Sequence, residues 1–197
     1  MPQDTDLHKC AKDGDTAGVL DLMQTGAAVN AQGAQGRTAL HRALGGGFHE
    51  CAAALLDGGA DTSIVDAMKR TCLHWAVLGP NADDALTCLT LLFERNEETA
   101  TSQINMTSKS GSTPLHCVAE SGRGEICRFL FDRGADPNFE DGDGKTAVVF
   151  AKGAGLPKDI FSAGGGRRAS ASSSKKGGGL FSKMRRQSRG GDKQVSL

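Results

Sequence analysis

No stretch of this chain approaches the roughly 18 consecutive apolar residues of a membrane-spanning helix, and its start, MPQDTDLHKC, lacks the basic and apolar regions of a secretory signal. The expected location is the cytoplasm, with the nucleus also open. Cysteines at 10, 51, 72, 88, 117 and 127 include no Cys-x-x-Cys pair, and the near pairs His8/Cys10, Cys72/His74 and His116/Cys117 are spread along the sequence. That spacing argues against a zinc site and a disulfide scaffold, leaving reduced cysteines that act as small apolar side chains. Catalytic signatures are scarce too. There is no serine-nucleophile motif, no Walker loop and no paired-carboxylate pocket, so neither an enzyme nor a cofactor is expected.

What the chain does have is a repeat. Gly111 to Asn138 reads GSTPLHCVAESGRGEICRFLFDRGADPN. Thr113 suits a helix N-cap and Pro114 the first helical position. Gly122 separates two helices, Ile126, Phe129 and Leu130 give the second an apolar stripe, and Gly134 suits its end. Thr-x-(Leu or Val) recurs at Thr5, Thr38, Thr71, Thr113 and Thr146, and the next position holds His8, His41, His74, His116 and then Val149. Gly-Ala closes copies at Gly26, Gly59 and Gly134, and Asn30, Asn105 and Asn138 share one position where the second copy has Ser63. The steps between threonines are 33, 33, 42 and 33 residues. A 33-residue period with this opening resembles the ankyrin repeat.

The resemblance implies an all-α ankyrin-repeat solenoid of four full repeats plus a truncated C-terminal repeat, with β-turn fingers. The ankyrin-repeat domain is expected over 1–163, with repeats at about 5–35, 36–68, 69–110, 111–143 and 144–163. In the family the nine-residue connectors NAQGAQGRT, SIVDAMKRT, NMTSKSGST and NFEDGDGKT form the fingers. The second lacks a glycine, having Lys69 instead, and is expected to turn differently. Gly45-Gly46-Gly47 reads as a fraying end and a long turn rather than a phosphate cradle, since no strand precedes it. Nine extra residues in the third copy fall partly in LGPNADD and partly between Phe93 and Ile104, both read as insertions in turns. Asp141 and Asp143 do not make a calcium loop, because position twelve is Lys152. Ile160 and Phe161 are expected to form an abbreviated cap.

The four histidines stand one repeat apart, so one metal cannot join more than two of them. In the family this histidine bonds to the threonine of its own motif and to connector backbone. Recognition therefore falls to surface residues. The position after the histidine holds Lys9, Arg42, Trp75, Cys117 and Phe150, which the resemblance places toward the concave groove. Arg42, Trp75, Cys117 and Phe150 are the partner-contact candidates, with Arg42 and Trp75 foremost because Arg and Trp dominate binding hot spots. The alternative for Trp75, the only tryptophan, is packing beneath the LGPNADD turn. Asn138 also fits the asparaginyl hydroxylation pattern of ankyrin domains, with Leu130 eight residues before it and Asp136 two before.

Charge divides the chain. Residues 1–163 carry 22 acidic and 14 basic side chains, a net of −8, and Gly164–Leu197 carries 1 acidic and 9 basic, a net of +8. With 8 Gly and 7 Ser in 34 residues, 164–197 has the composition of a disordered basic tail. Arg167-Arg168-Ala169-Ser170 and Arg185-Arg186-Gln187-Ser188 resemble basophilic kinase sites, making Ser170 and Ser188 candidate phosphorylation positions. Two phosphates at about −1.5 to −2 charges each would cancel roughly half of the tail's charge. GLFSKMRRQSR suits an anionic membrane surface, and Val195-Ser196-Leu197 resembles a PDZ ligand. KMRR is a weak localisation signal, and nucleic acid ranks below a protein as partner. The reading is a protein-binding adaptor with a phosphorylatable tail; its rival makes the basic tail the main contact, on membrane or nucleic acid.

Overall fold

The computed structural model describes residues 2–162. Its elements are the α-helices α1 (Asp6–Asp13), α2 (Thr16–Gln24), α3 (Ala39–Gly46), α4 (His49–Asp57), α5 (Cys72–Val77), α6 (Ala82–Arg95), α7 (Glu97–Gln103), α8 (Pro114–Glu120), α9 (Gly124–Asp132) and α10 (Ala147–Gly153). One isolated antiparallel bridge joins Glu140 and Thr146, and no strand occurs among the described residues. Helices α1, α3, α5, α8 and α10 pack in series as one layer, and α2, α4, α6 and α9 as the other. The result is an all-α solenoid.

The repeated Leu explains the stacking. Leu7, Leu40, Leu73 and Leu115 are buried between successive units, each worth about 2 kcal/mol of burial. Val148, the fifth copy of that position, is 41% exposed, with no further helical unit after α10 among the described residues. Leu156, Ile160 and Phe161 pack against the core behind α9 and α10, and Phe161 meets Phe131 at 5.8 Å between ring centroids.

Each Thr-x-x-His is a reciprocal cap. The backbone N–H of Thr5, Thr38, Thr71 and Thr113 donates to Nδ1 of the histidine three residues on, at 3.1 to 3.2 Å. A backbone N–H can only donate, so Nδ1 is the acceptor and the neutral ring carries its proton on Nε2. Nε2 then donates to the next connector, at Arg37 O (3.0 Å) from His8, Ser112 O (3.0 Å) from His74 and Lys145 O (3.1 Å) from His116. One residue thus ties a helix start to the following unit. His41 is the exception: its Nε2 is buried without a hydrogen-bond partner, and the Ile64 backbone approaches it without reaching bonding geometry.

All four fingers share one closing backbone bond and a left-handed seventh residue; the first also holds its sixth residue, Gln35, left-handed at φ 62°. The connector's fourth residue donates its N–H to the carbonyl of its eighth, as Gly33 to Arg37 (2.7 Å), Asp66 to Arg70 (3.0 Å), Ser108 to Ser112 (2.9 Å) and Asp141 to Lys145 (2.9 Å). The seventh residue is left-handed in every case: Gly36 at φ 69°, Gly111 at 79°, Gly144 at 73° and Lys69 at 57°. The expectation that the Lys69 finger turns differently is therefore wrong. Lysine adopts the glycine conformation, at a strain of roughly 1–2 kcal/mol. Neighbouring fingers are joined by single backbone bonds, Ala67 N–H to Gln35 O, Lys109 N–H to Met68 O and Gly142 N–H to Ser110 O, at 2.8 to 3.0 Å.

Two other expectations change. The residues between Phe93 and Ile104 are not a turn: they hold the end of α6 and the whole of α7, with Ala100 and Ile104 buried and Gln103 Nε2 donating to Thr62 O at 2.9 Å. The acidic first turn of α7, Glu97 and Glu98, complements the helix dipole. Gly45 and Gly46 lie inside α3 rather than in a long turn, and Gly47 caps it. A Cβ on Gly45 would stand 2.7 Å from Trp75 Cε3, so the missing side chain makes room for the indole. Of LGPNADD only residues 78–81 form a turn; Ala82, Asp83 and Asp84 are the first turn of α6, capped by Asn81, whose side chain accepts the Asp84 N–H at 2.8 Å.

Candidate binding surface

The residue before each repeat threonine and the residue after the histidine position lie five apart, and in two repeats they touch. Arg70 and Trp75 are such a pair, with the guanidinium 4.2 Å from the indole centroid; Lys145 and Phe150 are another, at 5.9 Å. Trp75 receives a second cation from the preceding finger, Arg37, at 4.4 Å. Its Nε1–H donates to Asp66 Oδ2 at 3.2 Å, and it meets His41 edge-on at 6.5 Å. The lone tryptophan is half-buried between finger arginines. These contacts set it at the base of the fingers.

Asp66 organises this cluster. Its fully buried carboxylate accepts from Met68 N (2.8 Å), Arg70 N (2.9 Å) and Arg70 Nε (2.8 Å) as well as from Trp75. Burial pushes the carboxyl's pKa up, but the Arg70 and Met68 bonds outweigh it and hold the group below the usual carboxylate range. Asp141 accepts Asp143 N and Lys145 N, both at 2.9 Å, in the same place in the fourth finger. It serves the turn.

Arg42 pairs with Asp4 at 2.6 Å, and Asp4 also accepts the Ala34 N–H at 2.8 Å. Lys9 pairs with Asp6 at 2.8 Å in solvent, a contact worth little. Arg37 makes no ion pair among the described residues; Nη2 donates to the side-chain oxygen of Gln35, and Nε is buried without a partner. Its pKa is lowered by burial and by the charges of Arg42 and Arg70. Cys117 is half-buried, and burial pushes its thiol up to about 11, so it stays protonated. Phe150 is half-buried edge-on to His116, at 5.9 Å.

The structure thus brings Trp75 together with Arg37, Arg70 and Asp66, and places Arg42 beside Arg37. Cys117 and Phe150 stand in their own repeats farther along. Sequence reasoning missed Arg37, Arg70 and Asp66, although the interval of five in Arg70/Trp75 and Lys145/Phe150 was there to be read. Asn138 is exposed; its N–H donates to Asp136 Oδ1 at 2.9 Å. Its counterparts are fastened to the next unit: Asn30 bonds Gly59 O and Asp61 N, and Asn105 bonds Gly134 O and Asp136 N. Asn138 meets no following unit among the described residues. Ser170, Ser188, GLFSKMRRQSR and the Val195–Leu197 terminus lie outside the described residues.

A stack of helical hairpins with fingers and a line of half-buried side chains is a repeat-built recognition scaffold. The ankyrin-repeat family model, in three-copy form, matches residues 7–101 and 81–157, and the chain belongs to that family. It is 33% identical over 75% of its length to human neurogenic locus notch homolog protein 2, 30% over 75% to the palmitoyltransferase AKR1 of Lachancea kluyveri, and 29% over 72% to the E3 ubiquitin-protein ligase KEG of Arabidopsis thaliana. The matches span 6%, 19% and 9% of those proteins respectively. Ankyrin repeats are protein–protein interaction modules and are typically non-catalytic.

Proposed function

We propose that this protein is a non-catalytic adaptor that holds a partner protein on its concave face and fingers. The observation carrying this reading is the Arg37–Trp75–Arg70 stack: a large amphipathic side chain, half-buried and clamped in place, loses little freedom when a partner covers it. Arg42, Cys117 and Phe150 extend the same line. The basic tail 164–197 adjusts location or affinity in the cytoplasm, through phosphorylation of Ser170 and Ser188. Hydroxylation of exposed Asn138 belongs to the same proposal.

The test is affinity capture from native lysate with three baits: the full chain, a chain ending at Ser162, and the full chain with Trp75→Ala and Phe150→Ala. The adaptor reading expects the first two to retain the same proteins and the third to lose them. A second reading rests on the charge division of −8 and +8 within one chain, which favours the tail as the main contact on an anionic membrane. Loss of every partner with the tail, together with binding to anionic vesicles, would establish it instead.

A further inference from the structure

Three arginines and two carboxylates meet at the base of the first two fingers. Asp4 takes Arg42 at 2.6 Å and Asp66 takes Arg70 at 2.8 Å, which leaves Arg37 as the cation of the group with no carboxylate among the described residues. It also stacks on Trp75, as Arg70 does. Both guanidiniums lie over the one indole, and the charges of Arg70 and Arg42 act against that of Arg37. Unpartnered donors gather here as well: among the described residues, Arg37 Nε and Arg42 Nε are buried without a hydrogen bond. The cluster offers donors and net positive charge on a body that is otherwise net negative.

We infer that Arg37, stacked on Trp75, is the anchor for a carboxylate of an acidic segment in the partner protein. The inference rests on the adaptor reading and names the chemistry of its partner. A guanidinium presents a flat fork that matches a carboxylate with two parallel hydrogen bonds. One uncompensated charge suits a singly charged carboxylate better than a phosphate dianion, which draws on several cations. Trp75 and the Gln35 side chain already restrict Arg37, so little side-chain freedom remains to be lost on binding.

Trp75 is the only tryptophan, so its emission reports on the stack directly. The full-length protein is titrated at low salt with an end-blocked tetraglutamate peptide. The expected result is a saturable change in emission that weakens about tenfold in Arg37→Gln, the loss of a charge-assisted pair. Arg37→Lys, which keeps the charge without the fork, should bind at an intermediate strength, and added salt should weaken the wild-type complex. End-blocked tetraglutamine should leave emission unchanged. Circular dichroism melting of both variants ties any loss to Arg37 rather than to unfolding. No saturable change, equal affinity in Arg37→Gln, or displacement by equimolar inorganic phosphate overturns the inference. If tetraglutamate fails while capture through Trp75 and Phe150 persists, the carboxylate anchor falls and the adaptor reading stands. If that capture is indifferent to Trp75 and Phe150, the adaptor reading itself falls.

Discussion

The indole N–H of Trp75 reaches the buried carboxylate of Asp66 across 3.2 Å, and this bond joins a helix of the third repeat to the finger before it. Asp66 accepts from three other nitrogens at the same time. Asp66→Ala removes the acceptor from Met68 N, Arg70 N and Trp75 Nε1 and leaves Arg70 without its anion. A loss of about 3 kcal/mol is expected, from buried donors left unsatisfied. Urea unfolding measures it, and Trp75 emission should move to the red as the ring loosens; a loss under about 1 kcal/mol would contradict the role assigned to Asp66.

Acid should weaken the stack before it touches the carboxylates. Burial drives the pKa values of His41 and His74 down to about 4, from an ordinary value near 6.5. The unfolded chain therefore takes up protons that the folded chain refuses. Stability present above pH 6.5 is lost as pH falls toward 4, by as much as about 3 kcal/mol per histidine. Asp4 and Asp66 have lowered pKa values and stay charged across most of this window. Urea midpoints at pH 7 and pH 5 test this, and equal midpoints would show that the two rings are not held neutral.

Lys69→Gly should stabilise the protein. The left-handed φ of 57° strains a lysine and suits a glycine, as the other three fingers show. The expected gain is about 1 kcal/mol after glycine's extra unfolded-state entropy is subtracted. Thermal unfolding reads it as a raised midpoint, and no rise would mean that the Lys69 side chain contributes contacts of its own.

Gly45→Ala opposes two effects. Alanine improves an interior helix position by about 1 kcal/mol, but its Cβ would stand 2.7 Å from the Trp75 ring, closer than atoms tolerate. The ring, held by Asp66 and two arginines, must move. A changed Trp75 emission without the stability gain is the expected pair of readings; the full gain with unaltered emission would show that the ring has room.

Much of this molecule was written locally. Threonine, leucine and histidine at one spacing suffice to place the caps, the buried leucines and the turn of each unit, because those contacts lie within a few residues or one period. The rest depended on partners far along the chain. Arg37 stands 38 residues before Trp75, and no local pattern announces that a finger arginine lies on the next unit's indole. Helix α7 hid for a different reason. Its polar sequence, EETATSQ, has no apolar stripe, and Asn96 with two glutamates in the first turn was the weaker signal that remained. Lys69 misled because propensity predicts glycine at that φ, and the ladder of finger bonds overrode it.

The single backbone bonds between neighbouring fingers give each junction its own clock. Ala67, Lys109 and Gly142 each donate one amide hydrogen to the finger before, and nothing else in the turn holds that hydrogen. When two units part, one of these three amides becomes free to exchange with solvent. The order in which the three exchange therefore records where the stack opens first, and a bound partner spanning two fingers should slow one of these clocks while leaving the others running.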